Sequence, residues 1–242
     1  MKLRSSSIVL MLLFIFQSCS YFPEDFDRDE TPSLTETIKY IKIGDQGSKA
    51  LIFYPGGLVD PFAYVNMLSA VAGDDVVVFI PKVPYNLAIL NINHAEEIKK
   101  AFPDIKEWSV GGHSLGGAVA CFVINDHPSE YENLFLLAAY PSESTDLKSF
   151  EGTSIVLFGS NDGVADLEKL INSRDQFNNP VDVEDIDFIE KTASTSFFYQ
   201  IEGGNHGNFG NYGFQKGDRE STITREEQQS TSILIMSKIL AQ

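Results

Sequence analysis

Apolar residues fall along this chain in short dense runs, separated by stretches in which apolar and polar positions follow a helical period. Residues 38–43 (IKYIKI) alternate in part, as a half-exposed strand does. By contrast, 50–54 (ALIFY) and 76–80 (VVVFI) are continuous apolar runs, stopped by Pro55-Gly56-Gly57 and by Pro81. Runs of that length with such stops read as strands buried on both faces. Between them, Asp60-Pro61 supplies an N-cap and a first-turn proline for a helix reaching about residue 72. Further along, the pattern predicts helices over 94–102, 115–125, 166–172 and 224–240, and strands over 107–110, 134–139, 154–158 and 196–201. Thr224 followed by Glu227 opens the last helix with a capping box. Strands separated by helical crossovers imply a mostly parallel central sheet with helices on both faces, an α/β fold.

The N-terminus follows a different pattern. Lys2 and Arg4 precede an apolar run over 8–16, and Gln17-Ser18-Cys19 follow it. A basic start, a short apolar stretch and small residues near a cleavage point describe a secretory signal peptide, here 1–18. The run is too short to stay in a bilayer as a permanent spanning helix. Phe16-Gln17-Ser18-Cys19 resembles a bacterial lipobox, with Phe16 where leucine is usual and Gln17 where a small residue is. The resemblance implies cleavage before Cys19 and lipid attachment to it, hence an exported protein anchored in a membrane of the cell envelope. A periplasmic or secreted soluble protein is the alternative. Each buried acyl methylene would contribute about 0.8 kcal/mol to such an anchor. Residues 19–36, polar and acidic, then read as a tether to a single folded domain over 37–242. Removal of 1–18 leaves Cys19 and Cys121. Cys121 lies in the apolar stretch AVACFVI and reads as a small buried hydrophobe, a Cys19–Cys121 disulfide being the alternative.

Composition narrows the function. The chain has 242 residues, enough for one domain with a full core, and its 34 acidic against 18 basic residues give a net charge of −16. Such a surface repels phosphate backbones, which argues against nucleic acid as a partner. The densest acidic stretch, 182–190 (DVEDIDFIE), lacks histidines and a calcium-loop spacing, so it reads as a solvated surface loop.

Chemistry concentrates in Gly112-His113-Ser114-Leu115-Gly116-Gly117. Gly112-x-Ser114-x-Gly116 is a G-x-S-x-G pattern between a predicted strand and a predicted apolar helix, the context a nucleophile elbow requires. The residues two before and two after the serine approach closely in that turn, and glycine at both positions removes the clash. A serine hydroxyl needs a base. Of four histidines, His94 reads as structural, His113 as packing near the serine, and His127 as capping a helix end. His206 follows the last strand in the glycine-rich Gly203-Gly204-Asn205-His206-Gly207, after the nucleophile and acid in chain order. The acid is then Asp162, at the tip of strand 154–158, with Asp146 as the fallback.

With these residues the chain resembles the α/β-hydrolase superfamily from about residue 38 onward. It looks most like small bacterial members without a lid domain that carry Y-P-G-G-L-V-D-P, G-H-S-L-G-G and G-G-N-H segments, here 54–61, 112–117 and 203–206. The resemblance implies an α/β-hydrolase fold and a Ser114–His206–Asp162 triad. It also implies an oxyanion hole from the backbone N–H groups of Leu115 and Gly57, with Leu58 next in line. Such a site needs neither metal nor organic cofactor. The expected activity is cleavage of a carboxylic ester, or a related acyl bond, in a small-molecule substrate. Thioester hydrolysis or acyl transfer by the same triad is one alternative, and a catalytically silent surface lipoprotein that binds a partner is another. Only residues 140–153 join the strands between which relatives carry a lid. A shallow pocket walled by Leu58, Val59, Tyr64, Tyr140 and Phe209 is therefore expected, with 178–193 and 207–218 placed to overhang it.

Overall fold

The computed structural model describes residues 20–26, 28, 31 and 33–242; the expected signal peptide and Cys19 lie outside the described residues. Among the described residues, nine strands form one sheet: β1 (Leu34–Glu36), β2 (Tyr40–Ile43), β3 (Lys49–Tyr54), β4 (Val76–Pro81), β5 (Glu107–His113), β6 (Asn133–Leu137), β7 (Thr153–Gly159), β8 (Pro180–Val183) and β9 (Thr195–Ile201). Their order is β1-β2-β4-β3-β5-β6-β7-β9-β8. β1 and β2 pair antiparallel at one edge, as do β2 and β4, and every other neighbouring pair is parallel.

Helices cover both faces, as continuous apolar strands require. On one face, α1 (Val65–Val71) and α5 (Arg225–Leu240) pack through Met67, Leu68, Ile235 and Ile239 onto Leu51, Phe53 and Phe135. On the other, α2 (His94–Ala101), α3 (Leu115–Asp126) and α4 (Leu167–Asn172) pack through Ile98, Val119, Ile124 and Leu170 onto Ile52, Val110, Leu136 and Val156. The alternation of β3, whose residues point to opposite faces in turn, divides the core between the two layers. No lid domain interrupts the connection from β6 to β7. Among the described residues, no helix is long and apolar enough to cross a membrane.

The differences from the sequence pattern have physical reasons. β1 and β8 are short, largely exposed edge strands with little apolar alternation, so only their neighbours reveal them. β8 turns the start of the acidic stretch into sheet, where Arg174 pairs with Asp182. β5 runs to His113 because Gly111 and Gly112, poor strand formers in isolation, sit beside neighbours that leave no room for a side chain; a Cβ on Gly111 would lie 2.6 Å from the Phe135 carbonyl oxygen. The helix expected over 61–72 begins as a 3-10 turn, Pro61–Tyr64, capped by the Asp60 side chain, which accepts from the Phe62 N–H at 2.9 Å.

Part of the segment expected to tether the domain, around Tyr21 to Phe26, lies against it. Tyr21 donates its N–H to Leu58 O at 2.9 Å and accepts from the Asp60 N–H at 2.9 Å, while its ring packs on Tyr212 with centroids 5.5 Å apart. The Glu24 N–H donates to Asn211 O at 2.7 Å, and the Phe26 ring meets that of Phe62 at 4.8 Å.

Candidate active site

The C-terminal ends of β3, β5, β7 and β9 lie along one rim of the sheet, because those strands are parallel to one another. In open α/β sheets this is the rim where functional loops gather. Ser114 connects β5 to α3 with φ 53° and ψ −123°, an unfavourable conformation for a residue with a side chain. Such strain costs on the order of 1–3 kcal/mol and persists only where the surroundings impose it. Here they do. The Ser114 N–H donates to Leu137 O at 2.9 Å, and its carbonyl accepts from the Ala118 N–H at 3.1 Å. A Cβ on Gly112 would lie 2.4 Å from the Gly116 carbonyl carbon, and one on Gly116 would lie 2.2 Å from Tyr54 O. The turn therefore closes only with glycine at both places. The serine side chain makes no capping bond to the helix it precedes, so its hydroxyl is uncommitted there.

On the neighbouring side of the rim, His206 and Asp162 form a buried pair. His206 Nδ1 stands 2.8 Å from Asp162 Oδ2, with side chains 1% and 0% exposed. The other carboxylate oxygen, Oδ1, accepts from the Val164 N–H at 2.8 Å and the Ala165 N–H at 2.7 Å. With one oxygen held by the main chain and the other facing the imidazole, Asp162 holds a proton on Nδ1, since a carboxylate oxygen only accepts. His206 Nε2 is then the basic atom. It is buried without a hydrogen-bond partner among the described residues, so Ser114 Oγ is not bonded to it in this structure.

A second histidine joins the two sides. The His113 ring lies 4.6 Å from that of His206, and its Nε2 is 3.1 Å from His206 O. A carbonyl only accepts, so Nε2 bears the proton and Nδ1 accepts from the Tyr64 hydroxyl 2.8 Å away. That hydroxyl in turn accepts from the Gly56 N–H at 3.0 Å. Burial holds the His113 imidazole well below the usual histidine range, with His206 acting in the same direction, and burial pushes the Tyr64 phenol up. Both stay neutral, and the chain from Gly56 through Tyr64 and His113 to His206 is fully bonded.

The glycine loop after β3 faces the elbow. A Cβ on Gly57 would lie 3.2 Å from Leu115 Cδ2, so this loop packs against the Leu115 side chain. Neither the Gly57 N–H nor the Leu115 N–H donates to a protein acceptor among the described residues. Leu58 is different. Its N–H is spent on Asn86 O at 2.7 Å, and its φ of 64° is fixed by that bond and by Tyr21. It is not a spare donor.

Several sequence expectations need correction. Val59, Tyr64 and Phe209 are buried in the core, behind His113, and do not wall an open pocket; Leu58 and Tyr140 remain half-exposed. His127 pairs with Glu130, at 3.3 Å, as well as ending α3. Asp146 is exposed, with its carboxylate on the Lys148 N–H, and so is not the histidine's partner. Cys121 is buried, as its apolar setting implies, and its thiol is pushed up by that burial.

Comparisons with known proteins bear on the family and the fold. The family model for the alpha/beta hydrolase family matches residues 50–230. No curated protein matches the sequence. Among solved structures, the monoacylglycerol lipase of Paleococcus ferrophilus superposes with a TM-score of 0.60 at 11% identity, covering 84% of this chain and 99% of that one. Dienelactone hydrolase from Anabaena variabilis gives 0.56 at 11% identity, covering 83% and 91%. Est1E from Butyrivibrio proteoclasticus gives 0.54 at 10%, covering 86% and 98%. At such identities the structural likeness speaks for the fold alone. Together with the family match over three-quarters of its length and the buried His–Asp pair beside a strained elbow, it places this chain in the alpha/beta hydrolase family.

Proposed function

We propose that this protein is a serine hydrolase that cleaves a carboxylic ester through an acyl-enzyme, with Ser114 as nucleophile, His206 as base and Asp162 as its orienting acid. The observation that carries this reading is the His206–Asp162 pair, whose buried Nε2 has no partner among the described residues and lies at the same sheet rim as the strained Ser114 turn. In the first step His206 Nε2 takes the Ser114 proton while Oγ attacks the acyl carbonyl. The resulting oxyanion is met by the N–H groups of Gly57 and Leu115. Preorganised donors of this kind are typically worth about 2.7–4 kcal/mol each. The C–O bond to the leaving alcohol breaks, and His206 returns its proton to that oxygen. Water, deprotonated by the same nitrogen, then attacks the acyl-enzyme, and the acid leaves as Ser114 recovers its proton.

The absence of a lid between β6 and β7, with Tyr140 and Leu58 only half covered, favours small or exposed acyl groups over deeply buried long chains. Lipidation at Cys19 is part of the same reading. It would put the anchor next to Ser20, immediately before Tyr21 docks on the Leu58–Asp60 loop, and so hold the rim close to the membrane. Labelling with a fluorophosphonate tests the enzyme directly: wild-type protein should be labelled and Ser114→Ala should not. Failure to label folded wild-type protein would favour a silent binding role. Turnover of p-nitrophenyl esters should favour short acyl chains, and a sharp optimum at long chains would sink the open-pocket reading. Added alcohols that capture the acyl group would show transfer in place of hydrolysis.

A further inference from the structure

The loop over 207–218 ends in a buried carboxylate with an unusual set of partners. Asp218 is 9% exposed, and among the described residues no cationic side chain lies within ion-pair distance of it. Its oxygens instead collect main-chain donors. Oδ1 accepts from the Gly163 N–H at 2.9 Å, the Arg219 N–H at 2.9 Å and the His206 N–H at 3.3 Å; Oδ2 accepts from the Gly207 N–H at 2.8 Å. Only the Arg219 bond is local. The other donors lie 55, 12 and 11 residues away, one on the loop of the acid and two on the loop of the histidine.

The next residue repeats the bridge. Arg219 Nη2 donates to Asp162 O at 2.7 Å, and Arg219 O accepts from Asn205 Nδ2 at 2.8 Å. The approach is close enough that a Cβ on Gly163 would lie 2.7 Å from both the Arg219 nitrogen and Gly217 O. A carboxylate taken out of water without a counterion is costly unless its lone pairs are met by well-aimed donors. A turn-closing role would need only the Arg219 N–H. The remaining bonds connect the two loops whose separation sets the Asp162–His206 hydrogen bond.

We propose that Asp218 is the positioning residue of this site, a buried carboxylate that ties the acid loop at Gly163 to the histidine loop at His206 and Gly207. The proposal rests on the serine-hydrolase reading for its effect on rate, but its structural content stands apart from activity. Misplacement of a reacting group by about 1 Å can cost about 100-fold in rate. In Asp218→Asn, one oxygen remains for Gly163 and His206 and the acceptor for Gly207 is lost. The kcat for p-nitrophenyl butyrate should fall about 10-fold to 100-fold with KM changed less than about twofold, and fluorophosphonate inactivation should slow by the same factor. Arg219→Ala, which leaves the carboxylate in place, should show a smaller loss.

Proton NMR of the resting enzyme supplies a readout that general destabilisation does not move. The downfield line of the His206 Nδ1 proton, identified by its loss in Asp162→Asn, should broaden or shift in Asp218→Asn at temperatures where the fold is intact. An unchanged line together with unchanged kcat would overturn the proposal. Should Asp218 variants fail to fold, hydrogen exchange in the wild-type protein decides. The Gly163 and Gly207 amides should exchange slowly and at matching rates although both lie in loops, and fast, independent exchange would refute the bridge. If wild-type protein neither labels nor turns over ester, the serine-hydrolase reading fails, while the NMR line and the exchange rates still judge the role of Asp218.

Discussion

The two sides of the rim are built by different means. On the nucleophile side, the Ser114 turn is closed by hard contacts between glycines and backbone: Gly112 against Gly116, and Gly116 against Tyr54. Gly112 and Gly116 stand within one six-residue segment with Ser114, and steric exclusion dictates that both are glycine. On the acid–base side, the geometry rests on polar groups drawn from distant segments. Asp162 lies after β7, His206 after β9, and Gln228 of α5 clamps Asn205 by accepting its N–H at 3.0 Å and donating to its carbonyl at 2.8 Å. A sterically closed turn leaves a motif in the sequence, whereas a polar bridge between loops does not.

Breaking each side in turn should sharpen the contrast. The largest effect belongs to Ser114→Ala, which should abolish fluorophosphonate labelling and lower kcat by about 10⁴-fold or more without lowering Tm. Asp162→Asn should cost about 10⁴-fold in kcat, because the amide no longer holds the tautomer that leaves Nε2 free; a loss under tenfold would remove Asp162 from the triad. Gly116→Ala should destabilise the fold by about 3 kcal/mol or more in denaturant unfolding, since its methyl group would meet backbone that cannot rotate aside. An ordinary, mild cost there would mean that the turn is held by something other than contact.

Smaller effects probe the link between the sides. Tyr64→Phe leaves His113 Nδ1 and the Gly56 N–H buried and unpaired, which should lower stability by about 1–3 kcal/mol. Acid should weaken the fold through His113. Its imidazole titrates below the usual range when folded and near 6.5 when unfolded, so below pH 6.5 the unfolded chain binds more protons. Stability is therefore fully present above that pH and declines as the pH falls, by up to about 1.4 kcal/mol per unit until the folded histidine also titrates. His94, shifted the same way by burial, adds in the same direction. Unfolding curves between pH 5 and 7.5 should be flatter for His113→Gln, and an identical slope would exclude this origin.

The sequence by itself determined the layers of the fold, because strands buried on both faces must be apolar throughout and helices between them must repeat near 3.6 residues. It also determined the serine turn, where glycine is the only residue that fits, and it pointed to His206 and Asp162 from chain order and strand ends. The tertiary structure alone decided what faces what. It gave His113 its place between Tyr64 and the His206 carbonyl, drew Tyr64 and Phe209 into the core, and docked Tyr21 on the Leu58–Asp60 loop. It also brought Asp218 onto main-chain donors up to 55 residues away. The reason is that an N–H or carbonyl is the same group at every residue. A bond to one carries no mark in the sequence of the partner, and only the folded chain shows which of many equivalent donors lies within reach.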